Sequence, residues 1–220
     1  MGDARPALPS ARPAAPRGAG KLRLLLEGDG GVARLILDAP PRNEMDQVFF
    51  RDFAALVETL KGLAVSGLVI HGAGRHFSSG ADVGALKAGV TDGQPADAAR
   101  ALFAATSSFQ AIAELPFPTV AAVGGCCLGS GLELALACRW RVAAANAVFA
   151  LPETTFGLMP GCGGTVRLPA LVGRGRAVEM LLSGRFVDAV EAREIGLVDA
   201  LVDRRDLLDS AVRLLGRVAA

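Results

Sequence analysis

A chain of 220 residues with 51% apolar and 20% charged residues has enough material to bury a core as a single domain. Its net charge of +1 supplies no overall field to draw in nucleic acid or an anionic membrane, and glycines, prolines and charges interrupt every long apolar run before it could span a bilayer. The cysteines, Cys126, Cys127, Cys138 and Cys162, lack C-x-x-C spacing and two are adjacent, which fits reduced thiols; with no apolar secretory block at the start, the reading is a cytoplasmic protein.

Residues 1–20, rich in proline, arginine and alanine, cannot repay the entropy of ordering and read as a disordered tail, with folded structure from Lys21. LRLLLEG and VARLILDAP flank Asp29-Gly30-Gly31 as a β-hairpin. After the Pro40-Pro41 stop, Val48, Phe49, Phe53, Leu56, Val57 and Leu60 recur at helical spacing from Asp46 to about Leu63, and SGLVIHG follows as a buried strand. GAGRHFSSGADV is a loop of small residues, and 88–97 reads as a mobile rim before a helix that carries Leu102, Phe109, Ile112 and Leu115 to Pro116. Thr119 to Val166 then gives a strand, a glycine turn opening a helix, two short strands, and a second glycine turn opening another helix. Arg139, Trp140 and Arg141 read as a sheet edge or a subunit contact. Short helices between glycines, the strand LVDALV and a helix from Asp206 complete the order, which is that of repeated ββα turns.

Chemistry concentrates where glycine turns meet carboxylates. Glu133 lies three residues after Ser130 in GSGLE, and Glu153 lies eight residues before Gly161 in PGCGG, so each acid is paired with a turn rich in free backbone N–H groups. That pairing suits proton transfer beside a developing oxyanion. A dinucleotide fingerprint is the rival reading of the two G-x-G stretches, but Phe77 and Leu134 stand where its third glycine belongs, and PGCGGTV lacks the lysine of a P-loop. His71 and His76 are too loosely spaced for a metal site, and Cys162, with no base in view, reads as a buried thiol.

Three segments in order, GAGRHFSSGADV, PTVAAVGGCCLGSGLELALACRWRVA and FALPETTFGLMPGCGGTVRLPALVG, resemble the oxyanion loops and second catalytic segment of the enoyl-CoA hydratase/isomerase, or crotonase, superfamily. The resemblance runs from about residue 22 to 205 and implies an α/β superhelix of ββα turns over 21–220 with a short C-terminal helical part. It further implies an acyl-CoA thioester as substrate and partner, no metal and no other cofactor, and a thioester oxygen held by the backbone N–H groups of Ala81 and Ser130. Glu133 and Glu153 match the two catalytic glutamates of the hydratases, and Gly161 matches the glycine at a helix N-terminus beside the reacting water. The implied activity is hydration of a trans-2-enoyl-CoA to a 3-hydroxyacyl-CoA, with isomerisation, decarboxylation, hydrolysis or mere acyl-CoA binding as alternatives. The implied assembly is a homotrimer or hexamer. Ser130 stands where glycine is common, Gly124 where asparagine is frequent and Arg139 where aspartate is frequent.

Overall fold

The computed structural model describes residues 20–26, 31–84 and 95–218. The tail reading of 1–19, the hairpin tip at Asp29 and Gly30 and most of the rim (88–94) lie outside these residues.

Strands β1 (Leu22–Leu26) and β2 (Val32–Leu37) pair antiparallel, with Leu22 opposite Leu37, as the hairpin reading requires. A six-stranded sheet continues parallel through β3 (Gly67–Gly72), β4 (Thr119–Val123), β6 (Trp140–Ala144) and β9 (Ala200–Val202), in the order β1-β2-β3-β4-β6-β9. A second, three-stranded sheet contains β5 (Cys126–Leu128), β7 (Val148–Ala150) and β8 (Val187–Asp188). Neither β5 nor β8 stood out in the sequence. At three and two residues they show no period, and they exist because neighbouring strands supply their hydrogen bonds.

Alternation along the parallel strands divides the molecule into two cores. Ala33, Leu35, Ile70, Ala121 and Ala143 face the main core, while Val69, Val120, Ala122 and Val142 face a smaller one. The smaller core is covered by the last helix, α7 (Leu207–Val218), through Leu207, Ala211 and Leu215. A side chain on Gly67 would come within 2.9 Å of Leu215, so that glycine lets α7 lie close on β3. Across the sheet, α1 (Gln47–Lys61) starts where Asp46 accepts a hydrogen bond from Phe49 N at 2.9 Å, and buries Phe49, Phe53, Val57 and Leu60. Val48, part of the expected apolar stripe, is 42% exposed. Against α1 packs α2 (Pro95–Ala113), whose Phe109 meets Phe53 edge-on with ring centroids 5.5 Å apart.

Helix α3 (Ser130–Ala137) is buried at every residue. It is followed by a 3₁₀ turn (Pro152–Phe156), α4 (Gly164–Val172), α5 (Arg174–Ser183) and α6 (Ala189–Glu194). The expectation that Arg139–Arg141 form an edge is overturned. β6 lies between β4 and β9, and Arg141 is 2% exposed, donating to Cys138 O at 2.7 Å and Leu197 O at 2.9 Å. Its guanidinium completes the C-terminus of α3, so the charge that suggested a surface serves a buried helix end.

Because the β2–β4 strands run parallel, the loops after them gather at one end, and the isolated bridges Met45–Ala81 and Ser78–Cys127 knit those loops onto β5. Replacing Phe53 by alanine should lower the unfolding free energy by about 3–5 kcal/mol, because a fully buried ring that touches two others leaves a cavity. Urea unfolding followed by circular dichroism measures the loss.

Candidate active site

Asn43 is the buried centre of the first loop. It adopts φ 52°, a conformation that asparagine tolerates better than most side chains. Its Oδ1 accepts from Ala39 N at 3.0 Å, and its Nδ2 donates to His76 O at 2.8 Å, Ala73 O at 3.0 Å and Phe77 O at 3.2 Å. Ser78 Oγ donates to Asn43 O at 2.8 Å and accepts from Gly80 N at 3.0 Å, so the Gly80–Ala81 turn is tied to this centre.

The second loop meets the first backbone to backbone. A side chain on Gly80, at φ 90°, would stand 2.6 Å from Leu128 O and 3.3 Å from Ser130 N. Only glycine allows that approach. Leu128 N donates to Ser78 O at 3.0 Å and Gly129 N to Ala150 O at 2.9 Å, after which Ser130 opens α3. Ala81 and Ser130, expected as a pair, therefore flank one backbone contact, and Ser130 N belongs to the first helical turn, whose N–H groups have no acceptor within the helix.

Glu133 lies one turn into α3, 1% exposed. Its Oε1 accepts from Cys162 N at 2.7 Å and Gly164 N at 2.8 Å. Burial is the largest influence and leaves its carboxyl above the usual carboxylate range, although these two N–H groups and the charge of Arg167 act against it. Arg167, on α4, donates to Cys162 O at 2.9 Å and to Gln110 Oε1 at 2.6 Å. Gly163, at φ 103°, makes room for that guanidinium, since a side chain there would overlap it.

Glu153 comes from the 3₁₀ turn and is wired differently. Burial, together with the charge of Glu133, raises its pKa to about 7, and its Oε2 is buried without a hydrogen-bond partner among the described residues. Its Oε1 lies 3.0 Å from where a side chain on Gly129 would begin, which sets it beside the Ser130 turn. The structure thus brings Glu133, Glu153, Ala81 and Ser130 together.

Gly161 is placed differently from expectation. Helix α4 begins at Gly164, three residues later, and the N–H groups that reach a carboxylate belong to Cys162 and Gly164. Gly161 O accepts from Thr106 Oγ1 at 2.8 Å, and Leu102 of α2 closes over the same residue. The Cys162 thiol, 2% exposed and pushed up to about 12 by burial and then by Glu133, is no nucleophile. Asn43 and Arg167 escaped the sequence reading. An asparagine after Pro-Pro, where a turn needs positive φ, and an arginine one turn into a glycine-opened helix were the signals present. Among the described residues no cluster of three or more His, Cys, Asp or Glu could hold a metal, and no helix is long and apolar enough to cross a membrane.

The sequence of residues 27–220 matches the family model for enoyl-CoA hydratase/isomerase. The chain belongs to that family. Similar relatives include the fatty acid oxidation complex subunit alpha of Vibrio cholerae, 43% identical over 191 residues, which cover 83% of this chain and 26% of that protein. The probable enoyl-CoA hydratase EchA17 of Mycobacterium tuberculosis is 39% identical over 184 residues, 83% of this chain and 69% of that one. The chain therefore spans about a quarter of the Vibrio relative's length. Among solved structures, Pseudomonas aeruginosa DspI superposes with a TM-score of 0.83 at 36% identity, covering 92% of this chain and 81% of its own. The enoyl-CoA hydratase of Bacillus anthracis does so with a TM-score of 0.83 at 32% identity, over 91% and 77%. The fold is the α/β crotonase fold.

In this family member the Glu153 carboxyl should titrate near pH 7, and Glu133→Gln should move its midpoint down because one source of the upward shift is removed. Carbon-detected NMR of labelled glutamate reads both midpoints. The sign for stability follows. A carboxyl with a raised folded-state pKa favours the fold while protonated, and that contribution is lost as pH rises from about 4.5 to about 7. Glu153→Gln should accordingly raise the thermal midpoint relative to the parent at pH 8 and by less at pH 5.

Proposed function

We propose that the chain hydrates a trans-2-enoyl-CoA thioester to the 3-hydroxyacyl-CoA, a hydro-lyase reaction. The observation that carries this is a buried and a half-buried carboxylate with different wiring beside one close backbone contact at Gly80. Adding water at C3 of a conjugated thioester builds negative charge on the thioester oxygen. In this reading Ala81 N–H and Ser130 N–H receive that charge as an oxyanion hole, with each donor worth roughly 3 kcal/mol in the transition state. Glu133, oriented by two N–H donors, takes the proton from water. Glu153, poised near 7 and free at Oε2, delivers a proton to C2. Gly161 keeps its place beside the water by resemblance, and the neighbouring N–H groups of Cys162 and Gly164 orient the base. Water and the enoyl thioester supply every atom of the product, so the step calls for no metal or redox cofactor.

The names of the relatives, a fatty acid oxidation subunit and a probable enoyl-CoA hydratase, support a role in fatty acyl-CoA metabolism. Free cysteines at all four positions fit the reducing cytoplasm. Double-bond isomerisation is the second reading, favoured by Glu153, whose unpartnered Oε2 and pKa near 7 let one carboxyl both take and return a proton. For assembly, Val178 and Leu182 on α5, Phe186 before β8 and Val190 on α6 are exposed at 45–69%, an apolar surface suited to burial in a homotrimer or a hexamer of two trimers.

Glu133→Gln and Glu153→Gln should each lower kcat by about two orders of magnitude or more with little change in CoA-ester binding. Loss of conjugated absorbance on a panel of enoyl-CoA thioesters measures this, and product NMR separates hydration from isomerisation. Parent-rate hydration by both variants would reject the two-carboxylate mechanism. Light scattering coupled to size exclusion should give three or six times the chain mass, and a stable species of one-chain mass would refute the assembly.

A further inference from the structure

On the opposite face of the large sheet from the two glutamates lies a cavity of about 330 Å³ that shares no lining residue with them. Its floor is a single cross-strand row, Arg23–Ile36–His71–Ala122, one residue from each of β1 to β4. This row points to the side that α7 covers over β3, β4 and β6, and the cavity opens where α7 ends its cover, beside Leu207 and Leu208. The walls are Gly72–Gly74, His76, Gly124 and Arg204.

The lining is cationic and incompletely answered. Arg204 donates to Arg75 O at 2.9 Å and to Gly74 O, two backbone carbonyls, and among the described residues no carboxylate pairs with it. Two of its five N–H groups are engaged. Gly124 is what admits this guanidinium, since any side chain there would overlap Arg204 Nη1. His76 Nδ1 accepts from Cys126 N at 2.9 Å, which places the proton of the neutral ring on Nε2 as a spare donor. His71 Nδ1 stands 3.2 Å from Gly72 O, and a carbonyl can only accept; its Nε2 is buried without a partner among the described residues. Burial and the nearby charges of Arg34, Arg23 and Arg204 keep His71 neutral. Asp38 is the acid at this face and is paired with Arg23, while Asp203 and Asp206 are paired with Arg205.

We propose that this cavity is a second binding site, separate from the acyl-thioester site, for a small tetrahedral oxyanion of the phosphate class, gripped by the spare N–H groups of Arg204 and by His76 Nε2–H. The volume admits a phosphate ion with bound water or a small phosphomonoester. A planar guanidinium and a ring N–H that line one cavity can address two oxygens of one anion. The site does not depend on the reaction assigned to the other face.

Isothermal titration of the whole chain with inorganic phosphate in low-chloride buffer tests it. The expected result is saturable one-to-one binding that weakens at least about tenfold, ~1.4 kcal/mol, in Arg204→Gln and stays unchanged in Arg205→Gln, which removes the same charge from the adjacent residue. Ring resonances of His71 and His76 should shift along the same saturation curve, and circular dichroism of both variants should match the parent. Absence of saturable binding, or equal weakening in the two variants, overturns the proposal. Adenosine 3′,5′-bisphosphate distinguishes the phosphates of CoA. If Arg204→Gln weakens that nucleotide while inorganic phosphate does not bind, the cavity serves the thioester substrate and a separate site is refuted. If phosphate binds equally with a CoA ester already present, the proposal stands.

Discussion

A carboxylate held inside the main core sets the terms for the half of the molecule that carries the two glutamates. Glu133 sits on a helix with no exposed residue, where an ionised carboxyl without partners would be far too costly. Its partners are two N–H groups from a turn 29 and 31 residues away in sequence. To present Cys162 N and Gly164 N to one oxygen, that turn must curl tightly, and the glycines at 163 and 164 permit it, one by its positive φ and one by lying against the carboxylate itself. Arg167 then fixes the carbonyl side of the same turn. Helix α3, the PGCGG turn and helix α4 are in this sense one unit, assembled around a charge.

Two glutamates so near each other would be redundant if their surroundings matched. They do not. Burial raises both carboxyls, but at Glu133 two N–H donors and a cation act against it, whereas at Glu153 a neighbouring negative charge adds to it and Oε2 has no donor among the described residues. The same residue type thereby yields one carboxyl tied to backbone donors and another that can hold or release a proton near neutrality. The difference comes from which backbone reaches each carboxylate, since neither side chain is chemically special.

Much of this was legible in the sequence because it is encoded locally. The hairpin, the long first helix, the central strand and the glycine turns all follow from periodicity and from residues with restricted or extended φ, and the two glutamates stood beside those turns. Elements that depend on distant partners were invisible. β5 and β8 have too few residues to show a period, Asn43 acts through three carbonyls thirty or more residues away, and Arg141 reads as a surface charge until the carbonyls that bury it are known. Gly161 was placed at a helix start by resemblance, whereas the glycine run positions Cys162 N and Gly164 N and the helix begins at Gly164.

Arg141 also carries a consequence for synthesis. The guanidinium that closes α3 at Cys138 O is held from its other side by Leu197 O and Asp199, 56 and 58 residues further along the chain. While a ribosome is still making that intervening stretch, the arginine lacks both of these partners, and the end of α3 lacks the outer half of its clasp. Domains tend to fold as units once their sequence has emerged. This one has a built-in latch. The helix bearing Glu133 gains its full clasp only after Leu197 and Asp199 have been delivered, so a nascent chain stalled short of Leu197 would expose an unfinished core to chaperones and proteases.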